Sequence, residues 1–142
     1  MRYKYQYFIQ DFQNCPPSDW EAKNIDAFRF VFEDLNDHRN FIPNSVRNPT
    51  RDNSPKYKND CYGKCSGYAL SFFDSLENAK KSYQAYKKSI PKFDRIAGTH
   101  IAKGKITVDD GVTSWVGESG HFDLHEFENN YLKLRFNIAG TA

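Results

Sequence analysis

One stretch limits the possible folds of this chain more than any other: Ser66–Ile90, SGYALSFFDSLENAKKSYQAYKKSI. It predicts a strand, a sharp turn and a helix. Tyr68–Phe73 is aromatic and apolar, which suits a buried strand. Asp74 offers a side-chain oxygen to the free N–H groups of a helix start, and Glu77 follows three residues on, as in a capping box. Beyond it Leu76, Ala79, Tyr83, Tyr86 and Ile90 recur every three or four residues and share one helix face. Lys80, Lys81, Lys87 and Lys88 fall largely off that face, and Pro91 ends the helix. The stripe needs an apolar sheet to cover it. The expected partner is the face carrying Leu132, Leu134, Phe136 and Ile138.

The remaining segments read mainly as strands. Tyr3–Ile9 and Ala27–Glu33 both alternate, with Phe28, Phe30 and Phe32 on one face of the second and Arg29, Val31 and Glu33 on the other. Between them Ser18-Asp19-Trp20-Glu21 predicts a short helix near Trp20–Asn24. Asn36–Phe41 is expected to make one helical turn. Pro43–Asp60 is polar and proline-rich and reads as a long surface loop. Thr99–Val108, Val112–Val116, Gly120–Phe127 and Tyr131–Ile138 complete the strands, with turns at Asp109-Asp110-Gly111 and Asn129-Asn130. In the last strand Leu132, Leu134, Phe136 and Ile138 alternate with Lys133, Arg135 and Asn137. About six strands and one long amphipathic helix define an α+β domain with a mainly antiparallel sheet, and 142 residues normally make a single domain. The 12 Phe and 9 Tyr favour a sheet core over a helical bundle.

No apolar run is long enough to span a bilayer. Cys15, Cys61 and Cys65 are odd in number and irregular in spacing, which argues against a secreted disulfide framework and leads to an expectation of reducing cytosol. Charge is unevenly placed: residues 47–105 hold 13 Lys/Arg against 5 Asp/Glu, and both flanks are net acidic. Arg47, Arg51, Lys56, Lys58 and Lys64 form the candidate anion-binding set, with nucleic-acid binding at most non-specific. A solvated lysine-rich surface is the bland alternative.

Chemistry concentrates in His121-Phe122-Asp123-Leu124-His125-Glu126. A regular strand aligns His121, Asp123 and His125 on one face, with Phe122 and Leu124 toward the core. Two imidazoles flanking a carboxylate can take a divalent metal or move protons. The same pattern describes a solvent-facing strand. Cys61 and Cys65 with His121 and His125 would make a Cys2His2 zinc set if the fold joined them; the competing expectation is ordinary thiols and no tightly bound metal. No GxSxG, P-loop or GxGxxG motif is present.

AFRFVF near the front, YALSFFDSLENAKKSY in the middle and a Glu on a late strand resemble the layout of ADP-ribosyltransferase-like folds, including the RES toxin group. That resemblance implies that Arg29 binds the phosphate or ribose of NAD. It also implies that Ser71 supports the ribose and that Glu126 stabilises an oxocarbenium-like centre. The pattern C…G-x-x-L-S-x-F-x-S-x-E-x-A…G-H-F also resembles an uncharacterised group of short bacterial proteins, which carries no activity with it. Three functions follow. The first is a binding or interaction domain, such as a regulatory partner, that meets a protein or an anionic ligand. The second is an NAD-using enzyme. The third is a metal-dependent hydrolase built on the His121–Glu126 row. The candidate catalytic residues are Arg29, Ser71, His121, His125 and Glu126, and the enzyme readings require them to converge in one cleft.

Overall fold

The computed structural model describes residues 2–142. In chain order its elements are α1 (Gln6–Ile9), β1 (Ile25–Val31), α2 (Asn44–Arg47), a 3-10 turn (Pro49–Asn53), α3 (Cys61–Ser66), β2 (Leu70–Phe73), α4 (Leu76–Ser89), α5 (Phe93–Ala97), β3 (His100–Ile106), β4 (Gly111–Thr113), β5 (His121–Glu126), a second 3-10 turn (Leu132–Arg135) and β6 (Asn137–Thr141). The strands form one sheet in the order β4-β5-β2-β1-β3-β6, and every pairing is antiparallel. This is the expected α+β class with a mainly antiparallel, aromatic sheet.

Alternation gives the sheet two buried faces. Ala27, Val31, Leu70, Phe72, Ala102, Ile106, Phe122 and Leu124 pack on one face with Leu132 and Phe136. Phe28, Phe73 and Ile101 pack on the other with Ala79 of α4, and Phe30 and Leu76 flank them. The helix therefore covers the face opposite to Leu132 and Phe136, which corrects the expected partner. The strand-turn-helix unit itself forms as its sequence requires. Ser75 is the cap rather than Asp74, accepting from the Asn78 N–H, while Asp74 takes the Asn78 side-chain amide at 2.8 Å.

Four other expectations are corrected. Tyr3–Ile9 is not a strand: Tyr3 bridges Phe127, and the chain then closes into α1. Strand β5 ends at Glu126, so the segment has a neighbour for one rung only and satisfies its backbone locally. Trp20–Asn24 is extended because Glu21 bridges Thr113 and Trp20 is buried. Tyr131–Ile138 is a 3-10 turn followed by the start of β6. Leu132 and Phe136, four residues apart, are buried, but Leu134 is 82% exposed. Arg135 anchors that turn on Asp110 and on the Lys105 carbonyl. Pro43–Asp60 is less open than a loop: it carries α2 and the first 3-10 turn, tied down where Tyr68 donates to Asp52 at 2.7 Å.

Candidate functional site

Strands β1 and β2 share a single registered pair, Phe28 with Phe73, and part beyond it. Arg29 lies at the opening. Its Nε donates to the Asn40 carbonyl at 2.7 Å and its Nη1 to the Ser71 carbonyl at 2.8 Å. Asn40 is itself buried and folds residues 32–40 back on the strand end: its Oδ1 accepts from the Phe32 N–H and its Nδ2 donates to the Asp34 carbonyl. Burial draws the Arg29 pKa down to about 10, with the like charge of Arg47 adding and Glu126 and Asp123 opposing. It remains a cation at neutral pH.

Above this opening lies a cavity of about 390 Å³. Its polar wall carries Arg29, Arg39, Arg47, Lys56, Asn40 and Asn44, with Ser71 and His121 beside them. Its apolar wall comes from the sheet and from α4 and α5: Phe30, Phe73, Tyr86, Phe93 and Ile96. No Asp or Glu among the described residues lines it. Arg39 is held by Asp37 through a paired contact at 2.7 Å and lies 3.6 Å over the Phe32 ring. Arg47 donates to the Ile96 carbonyl at 2.9 Å and makes no salt bridge among the described residues; nor do Arg29 and Lys56. Burial and the neighbouring Arg39 lower the Arg47 pKa. The far wall depends on Gly98, which ends α5 at φ +90°; a Cβ there would meet the Val31 carbonyl oxygen at 2.1 Å.

At the cavity wall the polar row of β5 is half used. His121 reaches Asp123 at 3.4 Å through Nε2, and the Ser71 hydroxyl donates to the same carboxylate oxygen at 3.1 Å. Burial raises the Asp123 pKa, with His121, Ser71 and Arg29 opposing in that order. The alternation of His121, Asp123 and His125 is as expected, but the face is not solvent-facing: Asp123 and His125 are buried.

Of the candidate catalytic residues, Arg29, Ser71 and His121 line the one cavity, while His125 and Glu126 do not. Glu126 lines a second, smaller hollow with Lys4 and Tyr131. There its Oε2 takes Lys4 at 3.0 Å and the Asn130 amide at 3.2 Å, and its Oε1 has no hydrogen-bond partner among the described residues. Burial raises its pKa, with Lys4 opposing most. His125 instead meets sulfur. Cys15 and Cys65 are disulfide-bonded, and His125 Nε2 lies 3.4 Å from Cys65 Sγ. Cys61 is exposed and free, so the Cys61/Cys65/His121/His125 zinc set does not assemble.

The anion set also divides. Arg47 and Lys56 line the cavity. Arg51 turns inward, donating to the Gly63 carbonyl at 2.9 Å and stacking on Tyr57. Lys58 and Lys64 are not among the lining residues. Sequence reasoning missed Arg39, Asn40, Asn44 and the Tyr86/Phe93 wall. The available signal was the run of arginines flanking an Asn-rich turn after an aromatic strand.

No protein-family model, curated protein or solved structure matches this chain. No helix is long and apolar enough to cross a membrane.

Proposed function

We propose that this chain is a binding domain for a small organic anion, a phosphate ester on a planar apolar body. The cavity lined by four cationic side chains, with no carboxylate among its lining residues and an aromatic wall opposite, carries this reading. Its volume lies in the range that takes metabolite-sized ligands. Arginine suits a phosphate because its planar fork donates two hydrogen bonds at once, and Arg47 and Arg29 retain charge that no acidic partner takes up. Phe30, Tyr86 and Phe93 supply the surface for a planar body to cover.

A thermal-shift panel tests the reading with a nucleoside monophosphate, the matching nucleoside, inorganic phosphate and NAD. The expected result is a dose-dependent rise in midpoint with the monophosphate, small or none with the nucleoside, and loss of the rise in Arg47→Ala/Lys56→Ala. An equal response to the nucleoside, or an unchanged response in the double variant, overturns it.

A second reading, turnover of the bound anion, is favoured by Ser71, Asp123 and His121 at the wall, where the Ser71 hydroxyl donates to Asp123 and His121 Nε2 lies 3.4 Å from the same oxygen. Asp123 orients the imidazole as a carboxylate orients a general base. Release of nicotinamide from NAD by wild type, reduced in His121→Gln with binding retained, is its test. Unchanged release in that variant removes it.

A further inference from the structure

His125 is 1% exposed, and nothing in the anion site uses it. Its ring lies against Trp20, at 5.2 Å between centroids, and near the edge of Tyr3 at 6.3 Å. Its Nε2 lies 3.4 Å from Cys65 Sγ and 3.9 Å from Cys15 Sγ. These three side chains form the cluster with metal-ligating geometry among the described residues. They come from three places in the chain: the Cys15-Pro16-Pro17 turn, α3 and β5.

We propose that this cluster is a redox-gated zinc site, closed as a disulfide and opened to Cys15, Cys65 and His125 as ligands when the sulfurs are reduced. A tetrahedral zinc with bonds of about 2.3 Å to sulfur and about 2.0 Å to nitrogen puts sulfur and nitrogen roughly 3.5 Å apart. The two sulfur–nitrogen distances already bracket that value. Only the sulfurs need to part, to about 3.8 Å in the same geometry. Cys15 is partly exposed and gives a reductant its point of attack, while Cys65 and His125 are buried.

The chemistry balances with a small-molecule dithiol as reductant. One of its thiolates attacks Cys15 Sγ, and the Cys15–Cys65 bond breaks with Cys65 leaving as thiolate. The second thiol of the reductant then displaces Cys15, and the reductant departs as a cyclic disulfide, its two hydrogens left on the thiols of Cys15 and Cys65. Zinc binding to the two cysteines releases their protons. A fourth position remains for solvent or an outside ligand. Oxidation of the two thiolates by a disulfide reverses the sequence and frees the ion.

The test loads oxidised and anaerobically reduced protein with zinc, removes excess by gel filtration and measures zinc per chain. Cobalt(II) replaces zinc in a parallel sample for absorption spectroscopy. We expect one zinc per chain after reduction and none before it. The reduced Cys15→Ser and His125→Gln variants should lose most of the zinc, and Cys61→Ser should keep it. Should His125→Gln fail to fold, the cobalt form of wild type still reports, by thiolate charge-transfer bands and tetrahedral d–d absorption. A reduced wild type with three titratable thiols and no zinc overturns the proposal. So does zinc lost in Cys61→Ser but kept in Cys15→Ser, or zinc held equally by the oxidised protein.

Discussion

Arg29 holds two separate segments together at the point where β1 and β2 part. Its two hydrogen bonds go to backbone carbonyls, so its loss is felt by groups that cannot move to water. We predict that Arg29→Met costs about 2–6 kcal/mol, because two sheltered carbonyls lose charged donors worth about 1–3 kcal/mol each. Arg47 makes one hydrogen bond at a more open site. Arg47→Ala should cost about 1 kcal/mol or less while weakening anion binding about tenfold or more. Urea denaturation and ligand titration of both variants check the contrast, and equal stabilities would show that Arg29 is not a clamp. Arg29 was named from the resemblance to ADP-ribosyltransferase-like folds, and the structure places it at the cavity. Its partner Asn40 was not legible, because nothing in a polar turn marks one asparagine as the one that is buried. Glu126 was a candidate on the same resemblance, and its pairing with Lys4 was not legible. That pairing depends on the N-terminal segment docking by a single rung.

At the scale of elements, local signals and long-range ones behaved differently. The strand-turn-helix unit at 68–91 is local: cap, stripe and proline stop all lie within it, and all but the choice of cap, Ser75 over Asp74, was readable from spacing. The Tyr131–Ile138 segment was ambiguous because residues four apart share a side both in an alternating strand and in a helical turn. Only Leu134 distinguishes the two, and its exposure is set by the rest of the fold. Leu132→Ala should therefore cost about 2–5 kcal/mol, and Leu134→Ala less than about 0.5 kcal/mol. Equal unfolding midpoints for the two variants would restore the strand reading. The same turn is held through Asp110, which is buried and bonded to Arg135 and to the Thr107 N–H. Burial alone would raise its pKa. Arg135 and Thr107 overcome that and hold it below its ordinary value of 3.8. A depressed carboxylate stabilises the fold above its unfolded pKa, and that contribution is lost as pH falls through the folded pKa. Asp110→Asn should lose about 1.5–3 kcal/mol at pH 7, and the difference from wild type should shrink only below about pH 4. A difference that is constant from pH 7 to pH 2.5 would contradict this.

For the whole molecule, the sheet is covered on both faces, and what remains open is the gap between its two central strands. Both walls of that gap are fixed by distant parts of the chain: the basic segment through α2 on one side, α4 and α5 on the other. The basic middle of the sequence was visible from charge counting, as was its expected appetite for anions. That two of its cations, Arg47 and Lys56, line a cavity with aromatic residues was not, because this depends on where β1 and β2 separate. The lysines of α4 have no part in the cavity, so an account based on surface charge alone and one based on the cavity predict different contacts. The most direct measurement is an NMR titration of the labelled protein with a nucleoside monophosphate against its nucleoside, at moderate salt. The account predicts saturable shifts confined to Arg29, Phe30, Arg47, Ser71 and Phe73, weak or absent with the nucleoside and lost in Arg47→Ala/Lys56→Ala. Shifts spread instead over Lys80, Lys81, Lys87 and Lys88 and erased by salt, with the cavity residues unmoved, would contradict it.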